Sequence, residues 1–413
     1  MNKLVNNLFS IFLPFVPFWG YFFWTVIGSK INIGINAVAF TIVFYYVIYE
    51  RKRLSNFLIF FIFFTIYHIA VAIINDIPRE TSKFYYVFND DKVLACLLFI
   101  IIEHTTFTEK FIKTLSRNIL IVVGISLIVS LIQVKTPSCF FNKYWDQDLA
   151  YIGENRDFSI YSWTGLNSAG ITFPILISIL LNVYSRRKSI IPFVIFANII
   201  VSFLTKTRYV MISAILVMSQ LFFDRMISLK KRVIMVVVLV STVLLIGWGA
   251  EKMGYDINEV INGRIMEKDS DMASAKARVL SYEVFLKIFP NDPIFGVGPS
   301  TRNDVKELLG GEAPLIHVGY LSYLYYYGIV GFILFMIASI FLFRDAWIVG
   351  RKEKFWGTFY GLLTFYIANF TMVYFIFSEM GIIVSMLFLK YYQDKSLSKN
   401  SLDLTLQNEA INN

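Results

Sequence analysis

NFLIFFIFFTIYHIAVAII, residues 56–74, carries no carboxylate, ammonium or guanidinium over nineteen positions. A helix needs roughly 20 predominantly apolar residues to cross ~30 Å of hydrocarbon, so this stretch predicts a membrane span. Eleven further runs on either side predict spans near 8–27, 31–49, 92–104, 118–134, 168–185, 190–204, 208–223, 233–249, 318–343, 355–376 and 379–392. The run at 92–104 is short, and the last two are divided only by the polar step Ser378–Glu379. The first run follows Lys3 and lacks a small-residue cleavage site, which predicts a retained anchor, with Pro14 and Pro17 as places for a kink. The expected fold is an all-α polytopic membrane protein of about 12 transmembrane helices.

Composition agrees. The 413 residues are 57% hydrophobic and only 16% charged, against about 25% charged for a soluble domain. Secreted disulfide scaffolds, disordered regulators and ordinary cytosolic enzymes are excluded, since so few ions cannot cover the apolar surface. Cys96 and Cys139 have no metal-ligand spacing and no disulfide framework. The formal charge of +9 follows from orientation. With the N-terminus in the cytoplasm, 21 of the 38 basic residues fall inside, and nine outside once one long loop is set aside. Both termini are therefore expected in the cytoplasm, and no nucleic-acid partner is needed.

This places five spans in 1–134, a first outer loop at 135–167, four spans in 168–249, a large outer loop at 250–317, three spans in 318–392 and a polar cytoplasmic tail at 393–413. The first loop is rich in aromatics and acids, suited to stacking sugars or to lying at headgroup level. Its Asp146, Asp148, Glu154 and Asp157 read as a glycosidase-like carboxylate pair or as solvated loop acids. The second loop is too long for a simple connection and is expected to carry short helices. Within it, ASAKARVLSYEVFLKIF (273–289) sets Arg278, Tyr282, Phe285 and Phe289 at helical spacing, one face resting on the membrane surface or the bundle. Asn291, Asp292 and Pro293 stop that helix.

Four features could carry chemistry. In LTKTRYVMIS (204–213), Lys206 and Arg208 lie in a hairpin between two apolar spans. They either snorkel to headgroups or, with the planar fork of Arg208, hold a phosphate. Arg278 is a solvated helix position or a second anion ligand. Gly296 and Gly298 in IFGVGPS (294–300) form a simple turn, or bring backbone N–H groups to an anion. His317 opens the tenth span at the outer interface in PLIHVGYLSYLYYYGIVGF (314–332) and is either structural or a proton acceptor at neutral pH. His68 and His104 read as packing or capping residues, and Glu379 is an expensive position without an assigned role. No metal-ligand spacing is present, so no metal or cofactor is expected.

The order of these pieces resembles the O-antigen ligase/polymerase superfamily of bacterial inner-membrane proteins. The matching segments are LTKTRYV, ARVLSYEVFLKIFPNDPIFGVGPS with its P-x-x-G-x-G turn, HVGYLSYLYYYGIVG and, loosely, TGLNSAG (164–170). The likeness is strong over about 160–335 and topological elsewhere. Tyr282 stands near where many relatives place Trp, and Val318 follows His317 where relatives often carry Asn. The resemblance implies that the large loop is periplasmic, that Arg208 and Arg278 bind the pyrophosphate of an undecaprenyl-linked glycan, and that His317 is general base on the acceptor hydroxyl. Lys206, Gly296, Gly298 and Tyr282 are further candidates for substrate contact. The implied activity is metal-independent, inverting glycosyl transfer between lipid-linked donor and acceptor, with a separate chain-length regulator as partner. Loose motif matching and a Phe/Ile/Asn/Lys/Tyr-rich composition favour a repeat-unit polymerase over the ligase that moves glycan to lipid A core. A lipid-linked-glycan flippase would instead show short loops and paired broken helices.

Overall fold

The computed structural model describes residues 2–17, 30–49, 53–74, 90–136, 160, 165–185, 187, 189–205, 207–223, 241, 273–298, 316, 318–371 and 375–412. Among these, every regular element is a helix. In chain order they are α1 (Asn2–Asn7, continued by a π turn and a 3-10 turn to Phe15), α2 (Lys30–Tyr49), α3 (Asn56–Ile74), α4 (Asp91–His104), α5 (Glu109–Gln133) and α6 (Gly165–Val183). There follow α7 (Ile190–Leu204), α8 (Arg208–Phe223), α9 (Ala273–Ile288), α10 (Gly319–Glu353), α11 (Gly357–Ala368) and α12 (Met380–Asn412). The ninth expected span, 233–249, lies outside the described residues except for one position, as do the acids of the first loop and most of the second.

Three helices, α3, α5 and α10, are long and apolar enough to cross a membrane, and shorter apolar segments cover Gly34–Tyr49, Gly170–Val183, Ile190–Leu204, Tyr209–Leu221 and Gly357–Ala368. Large apolar side chains face outward on them: Phe44 is 68%, Ile215 72% and Ile340 61% exposed. A belt of that kind is stable against hydrocarbon and not against water.

Local chemistry sets several ends. Asp90 caps α4, its carboxylate accepting from the amides of Lys92 and Val93, and Thr108 caps α5 through Phe111 N. Lys354, with φ 58°, closes α10 in the left-handed conformation. The break before α12 is wider than the step at Ser378–Glu379: α11 ends at Ala368, and residues 375–379 are non-helical although Phe375 and Phe377 are buried.

The core is aromatic. Phe64, Tyr323, Phe335, Phe365, Phe375 and Phe377 are each about fully buried and in mutual ring contact. Helices α6, α11 and α12 approach closely because glycines face α6. A Cβ on Gly357 would lie 3.0 Å from Ile179 Cα, and one on Gly381 2.7 Å from Thr172 Cα. Polar groups pin this contact: Ser178 Oγ donates to Gly357 O at 2.7 Å, and Asn182 bridges Gln220 to Trp356 N, accepting from the latter at 2.9 Å.

Candidate functional site

The arginine step between α7 and α8 is a short turn. Thr205 Oγ1 donates to Ser202 O and Thr207 Oγ1 to Thr205 O, each at 2.8 Å, and Arg208 occupies the first position of α8. Lys206 and the Arg208 side chain lie outside the described residues. The next residue, Tyr209, is buried against Gly170, where an added Cβ would stand 1.9 Å from its ring. Gly170 is the last residue of TGLNSAG, so the end of that segment packs against the residue that follows Arg208. Two residues on, Thr172 Oγ1 donates to Glu379 Oε2 at 3.4 Å and accepts from Gly381 N at 3.3 Å. Glu379 thus sits at the start of α12, beside the same end of α6.

Helix α9 spans the expected 273–289 stretch. Its backbone carries Arg278, whose side chain is outside the described residues. The bundle takes Ser281, Val284 and Phe285, all buried, and Phe285 stacks on Phe289 at 4.8 Å. Tyr282 turns away from that face and is half exposed, with Val279 and Leu286 beside it. Phe289–Asn291 tighten into a 3-10 turn, and Pro293 starts the reversal to Gly298.

That reversal is built into α10. Gly328 has φ 60°, ψ −170°, which breaks the helix. In an unbroken helix the amides of Ile329 and Val330 would pair with the carbonyls of Tyr325 and Tyr326. Here Ile329 N donates to Pro293 O at 2.8 Å and Val330 N to Ile294 O at 3.1 Å. The freed carbonyls of Tyr325 and Tyr326 accept from Val297 N at 3.2 Å and Gly298 N at 2.9 Å. The turn therefore gives each of these four freed backbone groups a new partner. Gly296 N closes the turn onto Asp292 O at 3.1 Å.

Glycine is demanded on both sides of this interlock. Gly296 has φ 75°, and a Cβ there would lie 2.4 Å from Gly328 N, while one on Gly328 would lie 2.3 Å from Ile294 O. The next glycine of the GIVG step, Gly331, makes room for Tyr67, whose ring carbon would be 2.6 Å from an added Cβ.

Tyr67 and His68 on α3 were not marked as site residues by their sequence. Tyr67 Oη lies 2.8 Å from Phe295 O and 3.0 Å from Tyr327 O, bridging the turn to the helix break. His68 is fully buried, with Nε2 3.0 Å from Asp90 Oδ2 and its ring edge-on to Tyr327 at 5.4 Å. Burial alone would raise the Asp90 carboxyl, but the facing His68 and Lys92 outweigh it and hold it below the ordinary carboxylate range. Lys92 in turn pairs with Asp91 at 2.8 Å. His104, by contrast, caps: its Nδ1 lies 2.8 Å from Ile100 O, and its ring stacks on Tyr46.

His317 lies outside the described residues, between Ile316 and Val318, which are both buried. Ser322 Oγ donates to Ile316 O at 2.7 Å, and Gly319 N donates to Asn369 O at 2.9 Å. The chain flanking His317 is therefore anchored on α10 and on the end of α11.

Residues 192–336 match the family model described as O-antigen ligase. The match runs from α7 into α10, covers less than half of the chain, and contains Arg208, Arg278, the glycine turn, His317 and the Gly328 break. It supports the resemblance to the O-antigen ligase/polymerase superfamily and a membrane protein of the O-antigen ligase/polymerase type. No curated protein matches the chain.

Proposed function

We propose that this protein is a glycosyltransferase of the repeat-unit polymerase type, acting at the periplasmic face of a bacterial inner membrane with both termini in the cytoplasm. It moves a growing glycan from undecaprenyl pyrophosphate onto a new lipid-linked repeat unit. The observation that carries the reading is the interlock of the turn after α9 with the break in α10, inside the segment matching the O-antigen ligase family. It ties the helix bearing Arg278 to the helix that His317 precedes.

In the reaction, an acceptor hydroxyl attacks the anomeric carbon as the C–O bond to the pyrophosphate breaks. His317 takes the hydroxyl proton, and the bonding electrons leave with undecaprenyl pyrophosphate. Arg208 and Arg278 hold that pyrophosphate, and their fixed positive charge stabilises the transition state, in which charge on the leaving oxygen grows. Direct attack inverts the anomeric centre. Lys206 adds charge at the arginine step, and half-exposed Tyr282 offers a ring for a sugar face. Gly296 and Gly298 serve chiefly by seating the turn, since their amides donate to Asp292 O and Tyr326 O. A chain-length regulator is the expected protein partner.

A second reading is the ligase that delivers the glycan to lipid A core, favoured by the description of the matching family model. Reconstituted protein supplied with lipid-linked repeat units alone separates the two. Longer lipid-linked chains support the polymerase, while transfer only on addition of lipid A core supports the ligase.

A further inference from the structure

Tyr67 bridges the turn and the helix break through a hydrogen-bonding group: its hydroxyl is within hydrogen-bond distance of Phe295 O and Tyr327 O. Those carbonyls belong to segments 32 positions apart in sequence, one following α9 and one inside α10. The ring fits only because Gly331 lacks a Cβ. Behind it, His68 presses edge-on against Tyr327 and is held by Asp90, which also caps α4. Helices α3 and α10 thus meet the turn at one point, and the start of α4 is joined to it through His68. A packing role alone would be filled by phenylalanine at 67 and leucine at 68. The Tyr67 hydroxyl reaches both carbonyls from a partly buried position, and a buried histidine–carboxylate pair is costly unless geometry is what it secures.

We propose that Tyr67, backed by the His68–Asp90 pair, is a positioning clamp that fixes the register of the α9 turn against α10, and so sets Arg278 relative to His317 during transfer. This rests on the function proposed above. Tyr67 is a positioning residue, its hydroxyl contacting the backbone of the turn and of α10. Its effect passes through the turn, so it acts on turnover and not on the initial capture of lipid-linked substrate.

The test compares wild type, Tyr67→Phe and Asp90→Asn in lipid nanodiscs. Asp90→Asn keeps an oxygen for the α4 cap while removing the charge facing His68. Undecaprenyl-pyrophosphate-linked repeat units extracted from a strain lacking this protein serve as substrate. The clamp predicts faster amide exchange in peptides covering 293–298 and 325–330 in both variants. It also predicts kcat lowered about tenfold in Tyr67→Phe with KM unchanged, and a melting temperature close to wild type. Unaltered exchange in Tyr67→Phe beside normal wild-type transfer overturns the clamp alone. Faster exchange with wild-type kcat reduces Tyr67 to a structural contact and overturns it equally. A wild-type protein that transfers no glycan overturns the functional reading, and the role given to the clamp with it.

Discussion

Replacing Gly296 by alanine is expected to detach the turn from α10 while leaving the bundle intact. The residue has φ 75°, a conformation that costs an L side chain roughly 1–2 kcal/mol by itself. The new Cβ would also stand 2.4 Å from Gly328 N and 2.6 Å from both Tyr326 C and Tyr326 O. These are backbone atoms and cannot rotate aside, so the turn must lift. Lifting forfeits the bonds from Val297, Gly298, Ile329 and Val330, worth about 0.5–1.5 kcal/mol each, or roughly 2–6 kcal/mol together. The penalty is local, because the glycine-mediated contacts of α6 with α11 and α12 do not involve the turn. Gly296→Ala should therefore reach the membrane at wild-type level, lose most of the proposed glycan-transfer activity and show rapid exchange at 293–298. Gly34→Ala is the matched control: nothing lies within 4 Å of its Cβ position, so it should be neutral or stabilising by up to ~1 kcal/mol. A Gly296→Ala protein with a normal polysaccharide ladder and unaltered exchange would refute the interlock as a functional element.

Gly170→Ala should push the Tyr209 ring off its seat and disturb the start of α8, lowering transfer on the order of tenfold or more, as read from ladder intensity per unit of membrane protein. Asn182→Leu removes the acceptor for Trp356 N and the partner of Gln220, so thermal melting in nanodiscs should report a loss of about 1–3 kcal/mol with the reaction itself retained. Arg208→Lys keeps the charge but not the planar fork, and should lower kcat about tenfold or more; equal kcat in the two proteins would show that a point charge suffices there.

Many helices were legible because long hydrophobic runs report removal from water directly. The stretches 56–74, 190–204 and 208–223 coincide with α3, α7 and α8. Runs that include charge at one end were read short. Helix α5 begins at Glu109, nine residues before the predicted 118, because Lys110, Lys113 and Arg117 extend it beyond the apolar layer, where Thr108 caps it. Helix α10 runs ten residues past the predicted 343 for the same reason. The opposite error occurs after α11, where Phe375 and Phe377 are buried in non-helical chain, since hydropathy senses burial and not helicity.

At the site, the glycines of IFGVGPS and GIVG were visible, but their purpose was not. Whether a G-x-G accepts an anion or a helix break depends on Tyr325–Gly328, thirty or so residues away, and nothing local encodes that pairing. The His68–Asp90 pair was hidden likewise. A histidine in one apolar run and an acid ahead of the next give no periodic signal, and only the packing of α3 against α4 joins them. Tyr282, set by spacing on the same face as Phe285, lies far enough around the helix to be exposed.

The most direct test of the account is surface-polysaccharide banding from cells lacking this protein and complemented with wild type, Arg208→Ala, Arg278→Ala or His317→Ala, with membrane levels confirmed. A full ladder from wild type, and a single repeat unit on the core from each variant, is the predicted result. Unaltered ladders in all three variants would contradict it, and loss of all attached glycan while long lipid-linked chains accumulate would assign the ligase reaction in place of polymerisation.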